Sequence, residues 1–390
     1  MFGPKFEMRS MLLWSFGLGR ALGLAPYENV NGVFMKSQVR KGIGIAMQSV
    51  MFISVLHKIS VFIDILSVME SNTYNIVQTL HFPCYYGMMM LVSYHFMASS
   101  AHTVRIMRYL KISSSTLNSV SKSQYIALGI IGTAVCQQWI YSYQHYSYQQ
   151  AATMYILFVN CGNNLIYLSY VGLPFIFHSL MKLLTIDLMN ATSRVPFGKL
   201  GKYSDNRTEV QAKLALATVR IRVMKIRRVV TDTQKAFPGV VLGAIVFDQY
   251  QLVLIVLFAL VDTRSHHTTL NAIFYIFPTI LQLYLILDSQ TEYLKVCEEG
   301  VQRVRKLTAA AGRLEQQKAE AMWQLHGIKA ELKSMPRFSV FGLFELGRHC
   351  LLSMGSIALT YVIIAVQFTT SNSPVTCKAF AATANFSAEV

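Results

Sequence analysis

The sequence predicts an all-α integral membrane protein with seven transmembrane helices. Three observations predict it. Hydrophobic residues make up 53% of the 390-residue chain and charged residues only 14%, against about 25% charged in soluble domains. Seven windows hold roughly 20 or more mostly apolar residues, enough to cross a hydrocarbon core of about 30 Å as helices. The Lys and Arg residues behind the net charge of +16 fall in alternate loops, as multi-pass topology requires.

Residues 1–42 precede the first window. Their apolar run, MLLWSFGLG at 11–19, ends at Arg20 with no convincing small-residue cleavage site behind it. It reads as an amphipathic or re-entrant segment rather than a signal peptide. The windows then follow at 43–66, 76–100, 125–143, 152–180, 239–261, 270–290 and 340–368. The first is interrupted by Lys58 and Asp64 and the fourth by Asn163 and Asn164. Helices one to six thus fall within 43–296, with a long loop at 181–238. Two segments outside the windows are rich in helix formers. In 301–335, Val304, Leu307, Ala311 and Leu314 recur at helical spacing, as do Leu214, Ala217, Ile221 and Met224 in 209–236. Both read as membrane helices extended into an internal bundle beyond the bilayer.

The seventh window is 29 residues, about 43 Å as a helix, which overshoots the core. Its first part carries Glu345, Arg348 and His349. Each charge at bilayer depth costs about 2.5–3.5 kcal/mol on insertion scales, so 340–352 is expected at or below the inner surface. Glu345 is expected to pair with Arg348 or His349 at i+3 and i+4. A break near Ser353–Ser356 would start the crossing proper, 353–369, and 370–390 would form a tail.

Of the 35 Lys and Arg residues, all but Lys58, Arg264, Arg348 and Lys378 lie in the N-terminal segment or in alternate loops on one side. Positive loops mark the cytoplasmic face. The N-terminus is therefore expected inside and the C-terminus outside, where the sequon at Asn385 becomes a candidate glycosylation site. The charge is thus a topology signal and gives no reason to expect a nucleic-acid partner. The inward N-terminus argues against a G-protein-coupled receptor, and neither Asp-Arg-Tyr nor Asn-Pro occurs. No internal repeat of the kind common in secondary transporters is visible. GxxxxGK, HExxH and GxSxG are absent, so neither enzyme chemistry nor a cofactor is indicated. The six cysteines have no metal-ligand spacing, and no metal site is expected.

On a helical projection from Thr360, Ser353 falls at about +20°, Ser356 at about −40°, Ile363 at about −60°, Ile364 at about +40° and Gln367 at about −20°. Small hydroxyls and an amide therefore share one face with two isoleucines. Polar groups at this depth either line a water-filled cavity or hydrogen-bond to a neighbouring helix. Spacing leaves both readings open.

The same stretch, TYVIIAVQF at 360–368, resembles the signature of insect gustatory receptors: Thr360, Tyr361, five hydrophobic residues, Gln367 and Phe368. A second stretch, GLGRALGLAPY at 17–27, is similar to that family's N-terminal pattern. The resemblance implies a chemosensory receptor of plasma membranes in sensory neurons. It would act as a tetrameric, ligand-gated, non-selective cation channel built from one kind of subunit or several. It also implies that Gln367 and Phe368 form the narrow gate, with Ile364, Thr360 and Ser356 lining the pore further in. Residues 297–352, including Glu345 and Arg348, with part of 209–236, would form a cytoplasmic anchor where subunits meet. Sugar-tuned members commonly carry an acidic residue after the tyrosine. Val362 stands there, which points toward bitter-type or other non-sugar tastants and leaves a fructose-type ligand open. A receptor-like protein without a sensory or channel role and a small-solute transporter are the alternatives.

The family's pocket opens outward among helices two to six. On that pattern the candidate ligand residues are Tyr85, Trp139, Tyr143, Tyr155, Asp248, Gln251, Asn271 and Tyr275. Tyr86 and Tyr146 lie nearby in sequence. Aromatic walls with a few placed polar groups suit a small molecule. Trp139, Tyr143 and Tyr146 would equally suit an interfacial aromatic belt. Asp248 would equally suit a pairing with Lys58 or a backbone group.

Overall fold

The computed structural model describes residues 8–21, 23–31, 33–68, 73–112, 154–193, 206–261, 266–311 and 319–371. Helix α1 (Met8–Ala21) leads into strands β1 (Tyr27–Val30) and β2 (Val33–Lys36). Helices α2 (Gln38–Val68), α3 (Thr73–Ala98) and α4 (Ser100–Ile112) follow. Then come α5 (Met154–Ser193), α6 (Asn206–Ala236), α7 (Pro238–Val261) and α8 (His266–Ala311). Helix α9 (Ala319–Lys333), strands β3 (Ser339–Val340) and β4 (Phe344–Glu345), and α10 (His349–Ser371) end the described chain. Six of the seven windows thus meet a helix, although only 349–368 of the last is helical. The third, 125–143, lies outside the described residues.

By length and composition, and among the described residues, Gln38–Asp64 and Gly172–Ser193 are long and apolar enough to cross a membrane. The pair Lys213–Ala236 and Pro238–Val253 passes the same test only when taken together, with a bend of 54° between its halves. His349–Ile364 is a shorter apolar helix. The bend sits at Phe237 and Pro238. Proline suits the first turn of a helix, where its missing N–H is no loss, so α7 starts there while α6 runs on at another angle.

The helices form two zones with different physics. In the apolar zone α2 packs on α3 and α5, and α7 packs on α3, α8 and α10. Lipid is as apolar as leucine, so close packing replaces water exclusion as the driving force there. At the crossing of α2 and α5, a Cβ at Gly162 would lie 2.0 Å from Ser54 Oγ and 2.7 Å from the Val50 carbonyl oxygen. Glycine is needed there for the approach. At the basic end, α4, α6, α9 and the extensions of α5 and α8 form a bundle. Leu184, Leu188, Val223, Ile226, Leu325 and Ile328 are fully buried in it. Burying each such side chain from water contributes about 1.5–3 kcal/mol. Ion pairs cross the bundle, among them Lys182–Glu292 at 2.5 Å and Arg227–Glu331 at 2.7 Å. Arg105 donates from Nε to both carboxylate oxygens of Asp232, at 2.9 and 3.0 Å.

Three expectations are corrected. The stripe Leu214, Ala217, Ile221 and Met224 does not face the core: Leu214 is 68% and Ile221 49% exposed. Helix α6 is apolar on a second face, and that one is buried, through Leu216, Val219, Val223, Ile226 and Val230. The stripe through Val304 and Leu307 is buried as expected, while Leu314 lies outside the described residues. Glu345 is in a strand, so helical spacing does not apply: it pairs with Arg337 at 3.2 Å, and Arg348 pairs with Asp288. Finally, α10 shows no break at Ser353–Ser356. The chain turns earlier, at Gly347, and runs as one helix from His349.

The N-terminal stretch docks through its glycines. Gly23 has φ +74°, a left-handed conformation that favours glycine. A Cβ there would lie 2.9 Å from Gly44 Cα, and one on Gly44 would lie 2.6 Å from the Gly23 carbonyl oxygen. Leu24, Ala25, Pro26 and Tyr27 are buried behind this contact. Tyr27 meets Phe34 edge-on at 5.5 Å across the β1–β2 hairpin, and Arg108 Nε donates to the Phe34 carbonyl at 2.8 Å. Burial raises the Tyr27 hydroxyl pKa to about 12, and Arg20 opposes the rise. Gly23, Leu24, Ala25, Pro26 and Tyr27 of the second family likeness thus help to seat the hairpin.

Candidate functional site

Helix α10 is the least covered of the long helices in the apolar zone. It leans on α7, with edges against α3 and α8. Val362 is 8% exposed, whereas Leu352 is 81% exposed. Ser353, Ser356, Thr360, Ile363, Ile364 and Gln367 are all exposed. Among the described residues, Ser353, Ser356 and Thr360 of the polar stripe therefore face away from the helices of their own chain. Thr360 Oγ1 donates to the Ser356 carbonyl at 2.8 Å, satisfying that hydroxyl within the helix. Phe368 lies in the last turns of α10, one residue beyond Gln367.

The base of α10 is tied to α8. Arg348 Nε donates to Asp288 Oδ1 at 2.7 Å, and Nη2 donates to the same oxygen. The Arg348 backbone N–H donates to Thr291 Oγ1 at 3.0 Å. Hydrogen bonding to Asp288 raises the guanidinium pKa above its already high value, so the arginine stays charged.

A second constellation lies inside the apolar zone. Asp248 is 0% exposed and stands ten residues into α7, about 15 Å along the helix. That is half the thickness of a hydrocarbon core. Tyr170 of α5 donates its hydroxyl to Asp248 Oδ1, while Oδ2 has no partner among the described residues. Asp248 is therefore held by Tyr170 and not by Lys58, which lies 5.5 Å over the Tyr86 ring. Rings close around the carboxylate: Tyr85 lies 4.1 Å from Phe247 and 5.7 Å from Tyr170, and Tyr170 lies 4.7 Å from Phe247. Helices α3, α5 and α7 thus bring three aromatics and one carboxylate together. An amphiphilic small molecule with a hydrogen-bond donor matches that chemistry.

The structure unites Tyr85 and Asp248 among the predicted ligand residues. Gln251 follows Asp248 on α7 and is half-buried. Tyr155 lies at the start of α5, and Asn271 and Tyr275 lie in the first turns of α8. Trp139, Tyr143 and Asn385 lie outside the described residues. Sequence reasoning missed Tyr170 and Phe247. Phe247 had its neighbour Asp248 as a signal, and Tyr170 had none. No group of three or more potential metal ligands is found among the described residues.

A family model for the 7tm chemosensory receptors matches residues 13–372. Among solved structures, the chain is similar to the insect olfactory receptor OR5 from Machilis hrabei, with TM-score 0.65 and 12% identity. That match covers 92% of this chain and 98% of the receptor. The same receptor in complex with eugenol matches with TM-score 0.59 and 13% identity, over the same shares. At these identities the likeness is one of fold. No curated protein matches the sequence significantly.

Proposed function

The chain belongs to the 7tm chemosensory receptor family, and from that premise we propose that it is a ligand-gated cation channel opened by a small-molecule tastant. Four copies, of this chain alone or with related subunits, place their α10 helices around a central pore. The observation that carries this reading is the exposed polar face of α10: a membrane helix with Ser353, Ser356 and Thr360 exposed needs water or other copies of itself on that side. In the sensory-cell plasma membrane the basic end faces the cytoplasm and residue 390 lies outside. Ligand binds among Tyr85, Tyr170, Phe247 and Asp248, with Trp139, Tyr143, Tyr155, Gln251, Asn271 and Tyr275 toward the outer ends.

Gln367 lines the narrow part of the pore beside a hydrophobic closure made by Phe368 and Ile364. Apolar constrictions gate by dewetting, and rings of polar groups ease ions past them. Currents from cells expressing the chain, alone and with co-receptors, against a compound panel that includes eugenol, test the reading. Gln367→Ala should alter conductance or ion preference, Gln367→Glu should favour divalent cations, and Phe368→Ala should leak without ligand. Unchanged permeability ratios and conductance in every surface-expressed Gln367 variant would take that residue out of the pore.

A further inference from the structure

Where α2 and α3 meet the basic end, a cavity of about 520 Å³ opens beneath the β1–β2 hairpin. Its lining falls into two halves. Lys36, Ser37, Gln38, Lys41 and Ser100 form a polar rim, and Ile45, Tyr94, Met97 and Ala98 form an apolar wall. Among the described residues no acidic side chain lines it. Both lysines are exposed, as are Ile45 and Tyr94. The division follows the helices. Lys41 precedes the first apolar window, Ile45 lies one turn inside it, and Tyr94 and Met97 belong to the last turns of α3. The cavity therefore straddles the level at which both helices leave the hydrocarbon.

We propose that this cavity binds an anionic phospholipid of the cytoplasmic leaflet, with its phosphorylated headgroup between Lys36 and Lys41 and its acyl chain along Ile45 and Tyr94. The assignment of the leaflet rests on the orientation proposed above. Basic pockets between membrane helices on the cytoplasmic side suit such headgroups, and each Lys near the surface contributes about 1 kcal/mol of attraction. A free phosphate would satisfy the lysines and leave the apolar wall bare. A neutral lipid would cover the wall and leave two cations without an anion. An acidic lipid satisfies both halves. The cavity also has a rigid floor, because Gly23 and Gly44 are in contact and a Cβ on Gly44 would lie 2.8 Å from Met97 Sδ. A lipid seated there would clamp the N-terminal hairpin against α2 and α3.

The test uses the full chain purified in mild detergent, with bound lipid counted by native mass spectrometry. Phosphatidylinositol bisphosphate should bind more tightly than phosphatidylcholine. Lys36→Gln with Lys41→Gln should weaken it roughly 30-fold. The pair Arg40→Gln and Arg228→Gln, which removes equal charge outside the cavity, should leave binding close to wild type. Tyr94→Ser should weaken the lipid and spare soluble inositol trisphosphate. If the double lysine variant unfolds, Lys41→Gln alone should show a roughly five-fold loss. Equal binding by wild type and the lysine variants overturns the proposal, as does an equal loss in the arginine pair, which would mean diffuse charge only. Inositol trisphosphate binding as tightly as the lipid would make this a free-anion site and overturn it too. None of these readings needs current or orientation, so a failure of the channel reading would be seen separately.

Discussion

A carboxylate in the middle of a membrane helix costs about 2.5–3.5 kcal/mol on insertion scales, and Tyr170 satisfies only one oxygen of Asp248. The other oxygen has no partner among the described residues, and in the proposed pocket it would accept from a ligand donor. A charged hydrogen bond is worth about 1.5–3 kcal/mol, so Asp248→Ala should raise the half-activating concentration roughly 10- to 100-fold. Asp248→Asn keeps the shape and an acceptor for Tyr170, and should give a smaller shift with normal surface expression. Dose–response curves with surface labelling check both. Curves unchanged in both variants would remove Asp248 from the pocket, and loss of Asp248→Asn from the surface would make its role structural. Asp248 was legible in the sequence because it is the lone charge of its window. Tyr170 is one of 20 tyrosines, and only the crossing of α5 with α7 distinguishes it.

At the scale of elements, hydropathy located the helices but not their ends or partners. The windows end where apolarity ends, while α5 and α8 continue as one face stays buried in the bundle, through Leu188 and Leu307. The β3–β4 hairpin was hidden inside the seventh window, since Val340, Phe341, Leu343 and Phe344 are apolar in any conformation. Gly342 was the available signal: it takes φ +76° at the turn, beside Phe341 at φ +51°. The first hairpin carried a stronger one, Asn31-Gly32, the dipeptide favoured in two-residue turns. Moving Glu345 into a strand changed its partner and left Arg348 to Asp288, so the base of α10 hangs on α8. Arg348 is largely exposed, and such solvent-screened pairs contribute little. Asp288→Asn and Arg348→Gln should therefore each lower ligand efficacy modestly, shifting half-activation up to about five-fold. Combined, they should shift it no further, because either alone breaks the same link. Fully additive shifts in that double-mutant cycle would show that the pair does not couple α8 to the pore.

At the scale of the molecule, the misplaced stripe on α6 becomes informative. Its period was read correctly, but its orientation was not, because a single sequence cannot tell a face buried within one chain from a face buried between chains. Leu214 and Ile221 stand exposed, and Val210 lies on the same side of the helix. On neighbouring α9, Trp323 is exposed too, with Arg220 4.4 Å over its ring. In the aqueous bundle, unlike the bilayer, such a surface is costly to leave wet, at roughly 25 cal/mol for each Å² of apolar area. Contiguous apolar surface of this kind marks an interaction site, and in the fourfold assembly proposed above the bundle is where copies would meet. Leu214→Glu with Ile221→Glu should then reduce tetramers to single chains, measured by light scattering of detergent-purified protein. Both side chains are exposed, so the thermal unfolding of the separated chains should change by no more than about 0.5 kcal/mol. Ligand-evoked current should vanish with the tetramer, although the pocket and α10 are untouched. Tetramers that persist with both glutamates in place would move the contact between copies away from α6.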